Sequence, residues 1–149
     1  SGFWITFIEH YLETQKSDAQ LLEQLRVTSE MLVNAGKKVI LVNDTPNFSF
    51  LPDQCLLKRK LSKLQCAEPV SLHETSYNLV TDFLNSAADK NPGISVFDAF
   101  KLVCPDDQCH MDDDSHRLLY FRDEDHLNIL GSRHYGGELG KYISLLLND

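Results

Sequence analysis

The sequence predicts an α/β protein built around a doubly wound, mostly parallel β-sheet. Two continuous apolar runs, Val39–Val42 and Ile94–Phe97, are typical of parallel strands that are covered on both faces. Each run follows a segment with helical apolar spacing, so helix and strand alternate along the chain. A chain of 149 residues is long enough to bury one sizeable core. We therefore expect residues 1–149 to form a single domain.

The first helix is predicted over residues 18–35. Ser17 or Asp18 can cap its N-terminus, and Gly36 supplies a C-terminal stop. Apolar residues recur in it at helical spacing, namely Leu21, Leu25, Met31, Leu32 and Ala35. The strand at 39–42 follows. After it we expect a loop over 43–52 and a charged surface segment over 53–67.

The second helix and strand repeat this plan. Ser71 and Glu74 match a capping box at the start of the helix. Its apolar stripe consists of Tyr77, Val80, Phe83, Leu84 and Ala87. Asn91, Pro92 and Gly93 end the helix before the strand at 94–97.

The last part of the chain predicts a short strand, Leu118–Phe121, and a final helix after Gly131. The inward positions of this helix are Tyr135, Leu139, Tyr142, Ile143 and Leu146. We expect it to pack across the sheet. The apolar run at 3–8 has no strand and helix before it, so the sheet is expected to be short at its front.

Composition argues against a nucleic-acid partner and against a membrane-spanning segment. The formal net charge of -8, with scattered Lys and Arg, argues against binding to a nucleic-acid backbone. The apolar stretches fall far short of the roughly 20 residues that span a bilayer. The sequence opens without a basic segment and cleavage pattern, so any export signal is expected to lie outside it.

The four cysteines form two pairs that are close in sequence, Cys55 with Cys66 and Cys104 with Cys109. An even number of cysteines in loops favours disulfides, although four cysteines allow three pairings. Reduced structural thiols and a zinc site are the alternatives. Neither pair has the spacing of a zinc knuckle, and the nearby histidines lack a familiar finger spacing.

Acid–base chemistry at neutral pH most often uses histidine, and an aspartate three residues earlier can orient the ring. The chain has three such pairs, namely Asp107 with His110, Asp113 with His116, and Asp123 with His126. The first two lie in an acidic stretch and are interpreted as solvated loop residues. Only Asp123 and His126 follow an apolar strand and precede a helix, which favours a catalytic pair. The structural alternative is a loop or capping histidine made cationic by acidic neighbours.

The block from Tyr120 to Ser132 resembles the final signature of SGNH domains. More narrowly, it resembles the SGNH domain appended to membrane-bound O-acyltransferases of the O-antigen acetylase kind. Asn128 stands where that family usually has serine. The resemblance extends over nearly the whole chain through other segments, namely Trp4 with Tyr11, Val39–Val42 with Pro46, Cys55-Leu56, and the loop Cys104–Cys109.

The resemblance implies a flavodoxin-like three-layer α/β/α SGNH-hydrolase fold that lacks its N-terminal portion. It assigns His126 as the general base and then acid, with Asp123 orienting its ring. The nucleophilic serine of the family lies in a Gly-Asp-Ser block upstream of these residues, and no such block occurs here. Ser1 could act only as an N-terminal nucleophile. We therefore expect this chain to be inactive alone.

The implied function of the parent protein is acyl transfer, with acetyl expected, to hydroxyls of a cell-envelope polysaccharide. The implied partners are a carbohydrate acceptor, an acyl donor and an N-terminal transmembrane acyltransferase domain, on the periplasmic or extracellular face of a membrane. No metal or organic cofactor is expected. The alternatives are a secreted SGNH carbohydrate esterase and a non-catalytic binding or interaction module.

Two further features have a structural and a functional interpretation. Trp4, Tyr11 and Phe50 could line a sugar cleft, but aromatic residues near strand ends more often belong to the core. The acidic run at 106–114 lacks the alternating ligands and glycine of a calcium loop, which favours a solvated loop.

Overall fold

A computed structural model describes residues 18–62, 66–113 and 118–148. The apolar run at 3–8, the aromatic residues Trp4 and Tyr11, and His116 lie outside the described residues. Within them, two compact units can be distinguished. We call residues 18–44 and 75–98 the parallel unit. We call residues 45–62, 66–74, 99–113 and 118–148 the disulfide unit.

The parallel unit contains the predicted alternation of helix and strand. Its elements are α1 (Asp18–Asn34), β1 (Val39–Val42), nearly all of α3 (Glu74–Asp89), and β3 (Ile94–Phe97). Strands β1 and β3 are parallel and in register, with Val39 opposite Ile94 and Val42 opposite Phe97. The mixed composition and the parallel pairing that the sequence predicts are therefore present, in a sheet of two strands.

The core of the parallel unit forms where α3 packs on the strands. Val80 and Leu84 are buried at its centre, and residues from α1, α3 and both strands pack around them, namely Leu25, Leu41, Leu79, Phe83 and Val96. Ala87 is buried as well, so the predicted apolar stripe of this helix is confirmed. The predicted stripe of α1 is confirmed only in part, because Met31 and Leu32 are 66% and 46% exposed.

Gly36 ends α1 as predicted. It has φ 75°, a left-handed conformation that glycine adopts without the steric cost of a Cβ. The N–H of Gly36 donates to the carbonyl of Val33, and the N–H of Lys37 donates to that of Leu32. These two bonds form a Schellman motif.

The disulfide unit contains α2 (Pro52–Ser62), β2 (Ala67–Pro69), a 3₁₀ turn (Val70–Leu72), α4 (Phe100–Val103), β4 (Gln108–His110) and α5 (Ile129–Asn148). Strands β2 and β4 are antiparallel, with Glu68 opposite Cys109. Both predicted cysteine pairs are disulfide-bonded, Cys55 to Cys66 and Cys104 to Cys109.

Three local predictions in this part of the chain are corrected. The charged segment at 53–67 contains a helix, because Pro52 suits a first helical position and Asp53 favours the first turn. Ser71 lies in the 3₁₀ turn instead of capping α3, which begins at Glu74. The final helix begins at Ile129, so Gly131 lies within its first turn.

Leu118–Phe121 is not a strand of a sheet. It makes two isolated bridges, from Leu119 to Asp112 and from Phe121 to Leu127. These bridges join it to two different segments, so no continuous ladder forms. No helix among the described residues is both long and apolar enough to cross a membrane.

Candidate active site

The predicted catalytic pair lies on a short loop that connects Phe121 to the segment before α5. The bridge between Phe121 and Leu127 closes this loop, and the N–H of Arg122 donates to the carbonyl of His126 at 2.7 Å. Two outside contacts hold the loop. Phe48 donates its N–H to the carbonyl of Glu124 at 2.9 Å, and the hydroxyl of Thr45 donates to that of Asp125 at 3.3 Å.

Asp123 and His126 are within hydrogen-bond distance of each other. Oδ1 of Asp123 lies 2.9 Å from Nδ1 of the imidazole and also accepts the backbone N–H of His126 at 2.7 Å. The same oxygen accepts the N–H of Asp125 at 3.3 Å. With Nδ1 engaged in this way, Nε2 is the ring nitrogen that can exchange a proton with a substrate.

Asp125 is a second acidic neighbour of the imidazole. Its Oδ1 lies 2.7 Å from Nδ1 of His126, so two carboxylates converge on one ring nitrogen. The spacing of three residues pointed to Asp123 and not to Asp125. Asp125 directly precedes His126, and its carboxylate contacts the imidazole only because of how the loop backbone turns. The spacing of residues in the sequence does not indicate such a turn.

The environment of Asp123 favours its charged form. Partial burial raises the pKa of this carboxyl, but hydrogen bonds from the backbone and ring of His126, the N–H of Asp125 and the guanidinium of Arg122 outweigh it. Their sum holds the pKa well below its ordinary value. Asp123 is therefore ionised at neutral pH and can stabilise a protonated His126.

The donor atoms of Asp123, Asp125 and His126 lie within 4.8 Å of one another, which is close enough to surround a cation. Hydrogen bonding to Nδ1 already accounts for this convergence, because both carboxylates lie within 2.9 Å of that atom. Exposed acidic groups often gather without an ion. The arrangement gives no reason to assign a metal.

An open groove of about 700 Å³ adjoins the loop at the start of α5. Its lining combines two guanidinium groups with apolar side chains, from residues Arg122, Leu127, Asn128, Ile129, Leu130, Ser132 and Arg133. Ile129 is 72% exposed within it. Arg122 and Leu127 lie next to Asp123 and His126 in sequence, so the groove adjoins the loop that carries the predicted pair.

Of the other two Asp–His pairs, the structure describes one completely, and its histidine faces a different aspartate. Nε2 of His110 faces Asp106 at 3.6 Å instead of Asp107. Asp113 accepts the N–H of Leu118 at 2.8 Å, and its predicted partner His116 lies outside the described residues. Phe50 is buried and packs on Phe48 with ring centroids 5.6 Å apart, as expected for a core residue.

An exposed serine, Ser49, and two buried side chains, Glu68 and His73, form a second cluster in the disulfide unit. The N–H and hydroxyl of Ser49 both donate to Oε1 of Glu68, whose Oε2 lies 3.0 Å from Nε2 of His73. In a catalytic triad the histidine stands between serine and acid. Here the acid stands between the other two and is only 5% exposed, so the cluster is structural.

The parallel unit has its own polar cluster just beyond its two strands. Asn43 follows β1 and donates to Asp98, which follows β3, at 2.7 Å; the hydroxyl of Tyr77 donates to the same carboxylate at 2.7 Å. Burial and the Asp98 carboxylate raise the pKa of Tyr77 to about 12. These groups bind one another, and the cluster fixes the ends of the strands.

Comparison with known proteins adds one finding. A family model described as "SGNH domain (fused to AT3 domains)" matches residues 2–141 of the chain. Comparisons with curated proteins and with solved structures returned no match.

Proposed function

The chain belongs to the family of SGNH domains fused to acyltransferase-3 (AT3) domains, and from this premise we propose that its parent protein transfers an acyl group to a carbohydrate. The acyl group is expected to be acetyl, and the acceptor a hydroxyl of a cell-envelope polysaccharide. The family establishes an acyltransferase-associated, hydrolase-like domain. The catalytic roles in this proposal rest on the geometry of the pair Asp123–His126. The acetyl group and the polysaccharide acceptor rest on the resemblance of residues 120–132 to the O-antigen acetylase kind of SGNH domain.

The observation that carries the proposal is the contact of one carboxylate oxygen with Nδ1 of His126 at 2.9 Å. This contact holds the ring so that Nε2 can accept a proton. We assign Nε2 as the base that takes the proton of a serine hydroxyl while its oxygen attacks the acyl carbonyl carbon. The imidazolium returns this proton to the leaving group. Ionised Asp123 stabilises the imidazolium in between.

The second half of the reaction repeats these roles. Nε2 takes the proton of an acceptor hydroxyl, whose oxygen attacks the acyl-serine ester. The serine oxygen leaves with the proton from His126. The serine itself is proposed to lie in a Gly-Asp-Ser block upstream, since no such block occurs in this sequence. The groove beside His126 is proposed to hold the acceptor.

The two disulfides support an oxidising location for this domain, such as the periplasmic or extracellular face of a membrane. The AT3 domain of the family is the proposed membrane partner that supplies the acyl group. The parallel pair β1–β3 is proposed to belong to a three-layer SGNH fold in which residues 1–149 form the C-terminal part of one domain.

The test is hydrolysis of p-nitrophenyl acetate by the complete SGNH domain of the parent protein, including the upstream Gly-Asp-Ser block. We expect turnover, and we expect His126→Ala to lower kcat by about 10⁴-fold or more. His110→Ala is the matched control, because His110 also follows an aspartate by three residues but faces Asp106. We expect this variant to keep full activity.

Two results would contradict the proposal. One is a folded, complete domain without turnover, which would favour a non-catalytic binding module. The other is turnover that His126→Ala leaves unchanged. The chain of 149 residues should be inactive in the same assay if the serine lies upstream.

A further inference from the structure

We propose that Asn128 is a positioning residue for the catalytic loop, joining the segment before Asp123 to the helix after His126. The inference rests on the proposed function, because positioning has a catalytic meaning only if Asp123 and His126 react. Its evidence is independent of that function, since it comes from the hydrogen bonds that this one side chain makes on both sides of the loop.

The amide oxygen of Asn128 caps α5. Oδ1 accepts the N–H groups of Leu130 at 2.8 Å and Gly131 at 3.0 Å. The backbone carbonyl of Asn128 accepts the N–H of Ser132 at 2.8 Å, as expected for the residue that opens a helix. Asn128 thereby satisfies donors that the first turn of a helix otherwise leaves without partners.

The amide nitrogen of Asn128 reaches in the opposite direction. Nδ2 donates to the carbonyls of Leu119 at 2.7 Å and Phe121 at 3.3 Å. The backbone N–H of Asn128 donates to the carbonyl between them, that of Tyr120, at 2.9 Å. Three consecutive carbonyls are therefore bound by one residue. Together with the bridge from Phe121 to Leu127, these bonds hold the segment before the loop although no continuous ladder forms beside it.

These contacts fix both ends of the catalytic loop. Phe121 lies two residues before Asp123, and Asn128 lies two residues after His126. When Asn128 binds the carbonyl of Phe121, it sets the separation of the two ends and hence the path that brings the aspartate to the ring. A shift of about 1 Å in such a path can cost about 10²-fold in rate.

Gly131 provides a second observation that α5 and the segment Leu118–Phe121 lie close together. A Cβ built on this residue would lie 2.2 Å from the carbonyl oxygen of Tyr120. The first turn of α5 and the bound segment thus pass so closely that a side chain at this position would force them apart.

The amide group is needed because it both donates and accepts. Serine, the usual residue of the family here, can cap the helix with its hydroxyl but has one hydrogen and a shorter reach. Aspartate can cap the helix equally well, and its charge suits the helix N-terminus. It has no hydrogen to donate, so its oxygen would face the carbonyl of Leu119 at a distance set for a hydrogen bond.

The experiment uses the complete SGNH domain with Asn128→Asp, and with the uncharged Asn128→Ala as a second variant, which removes the amide without adding a charge near Asp123. Circular dichroism and the urea midpoint report folding. The readouts are the titration of the Asp123 carboxyl by ¹³C NMR, exchange of the His126 amide hydrogen, and kcat for p-nitrophenyl acetate. We expect folded variants in which the pKa of Asp123 moves up towards its ordinary value, the His126 amide exchanges faster, and kcat falls about 10²-fold.

Val80→Ala is the matched control, since it destabilises the core of the parallel unit without touching the loop. It should lower the urea midpoint and leave the Asp123 titration unchanged. An unchanged Asp123 titration and His126 exchange in a folded Asn128 variant would overturn the inference. If the wild-type domain shows no turnover but the Asp123 titration still depends on Asn128, the positioning inference stands and the proposed function fails.

Discussion

At the scale of single residues, one oxygen of Asp123 serves two purposes. Oδ1 accepts the backbone N–H of His126, which fixes the loop, and it contacts Nδ1 of the ring, which fixes the imidazole. Asp125 also reaches Nδ1, at 2.7 Å. The two carboxylates can therefore be separated by substitution.

We expect Asp123→Asn to lower kcat of the complete domain by about 10³- to 10⁴-fold, because the amide keeps an acceptor but loses the charge that stabilises the imidazolium. Asp125→Asn should lower kcat by less than about tenfold, since Asp123 still orients the ring of His126. Kinetics of p-nitrophenyl acetate hydrolysis distinguish the two. A larger loss for Asp125→Asn would reverse the assignment of the orienting acid.

His73 predicts a dependence of stability on pH. Burial lowers the pKa of this imidazole more than the neighbouring Glu68 raises it, so the folded protein favours the neutral ring. The unfolded state then binds more protons once the pH falls through about 6.5, the ordinary value for histidine. Stability contributed by neutral His73 is present above that pH and is lost below it.

Urea unfolding of the wild type and of His73→Gln between pH 7.5 and 5.5 measures this effect. The midpoint of the wild type should fall with pH, and that of the variant should fall less. His110→Gln is the control, because it removes another histidine of the same unit outside the buried cluster. Equal pH dependence in the wild type and His73→Gln would contradict the prediction.

The sequence predicted part of the site at this scale. The spacing of Asp123 and His126, after an apolar segment and before a helix, correctly predicted that their side chains lie within hydrogen-bond distance. The approach of Asp125 and the bonds of Asn128 were not predictable, because they depend on loop dihedral angles and on which way an amide points. Asn128 gave a weak signal, because the resemblance implies a serine at this position.

At the scale of elements, α5 contains glycines that face different environments. A Cβ on Gly131 would collide with the carbonyl of Tyr120, whereas a Cβ on Gly136 would meet nothing within 4 Å. Glycine within a helix costs about 0.5–1 kcal/mol relative to alanine. The same substitution should therefore have opposite effects at the two positions.

We expect Gly136→Ala to stabilise the protein by about 0.5–1 kcal/mol and Gly131→Ala to destabilise it, since the strain at Tyr120 exceeds the gain in helix propensity. Chemical denaturation of both variants gives the two free energies of unfolding. Stabilisation by Gly131→Ala would show that the start of α5 can move away from the 118–121 segment at little cost.

Element types were predictable where local and long-range signals agreed. α1 had capping residues, apolar spacing and a terminal glycine, and its predicted range of 18–35 matches Asp18–Asn34. Leu118–Phe121 had only a short apolar run. A run of this length does not reveal its partners, and here two isolated bridges and the side-chain amide of Asn128 stand in place of a neighbouring strand.

At the scale of the whole molecule, covalent cross-links are concentrated in one unit. Cys55–Cys66 and Cys104–Cys109 both lie in the disulfide unit, with sequence separations of 11 and 5 residues. The N–H of Met111 donates to the carbonyl of Cys66, and the carbonyl of Met111 accepts the N–H of Tyr120. The cross-linked region therefore continues into the segment before the loop of Asp123 and His126.

Reduction should therefore weaken the disulfide unit first. Loops of these lengths correspond to about 3 and about 2 kcal/mol of stabilisation by the chain-entropy model. Hydrogen exchange with and without a phosphine reductant should show faster exchange at Met111 and across β2–β4, with smaller changes across β1–β3. The reductant added to a variant with all four cysteines replaced by alanine is the control. Uniform loss of protection in both units would contradict this expectation.

The order in which the chain supplies these units has a consequence for its folding. Among the described residues, the chain passes from one unit to the other after residues 44, 74 and 98, so neither unit is a continuous stretch. If the chain is exported from its N-terminus, β1 reaches the oxidising side before β3, and the segment with Cys55 and Cys66 arrives between them. The first disulfide can close before the parallel strands meet. An apolar strand without its partner is prone to aggregation during that interval, so we expect slow arrival of residues 75–98 to lower the folding yield.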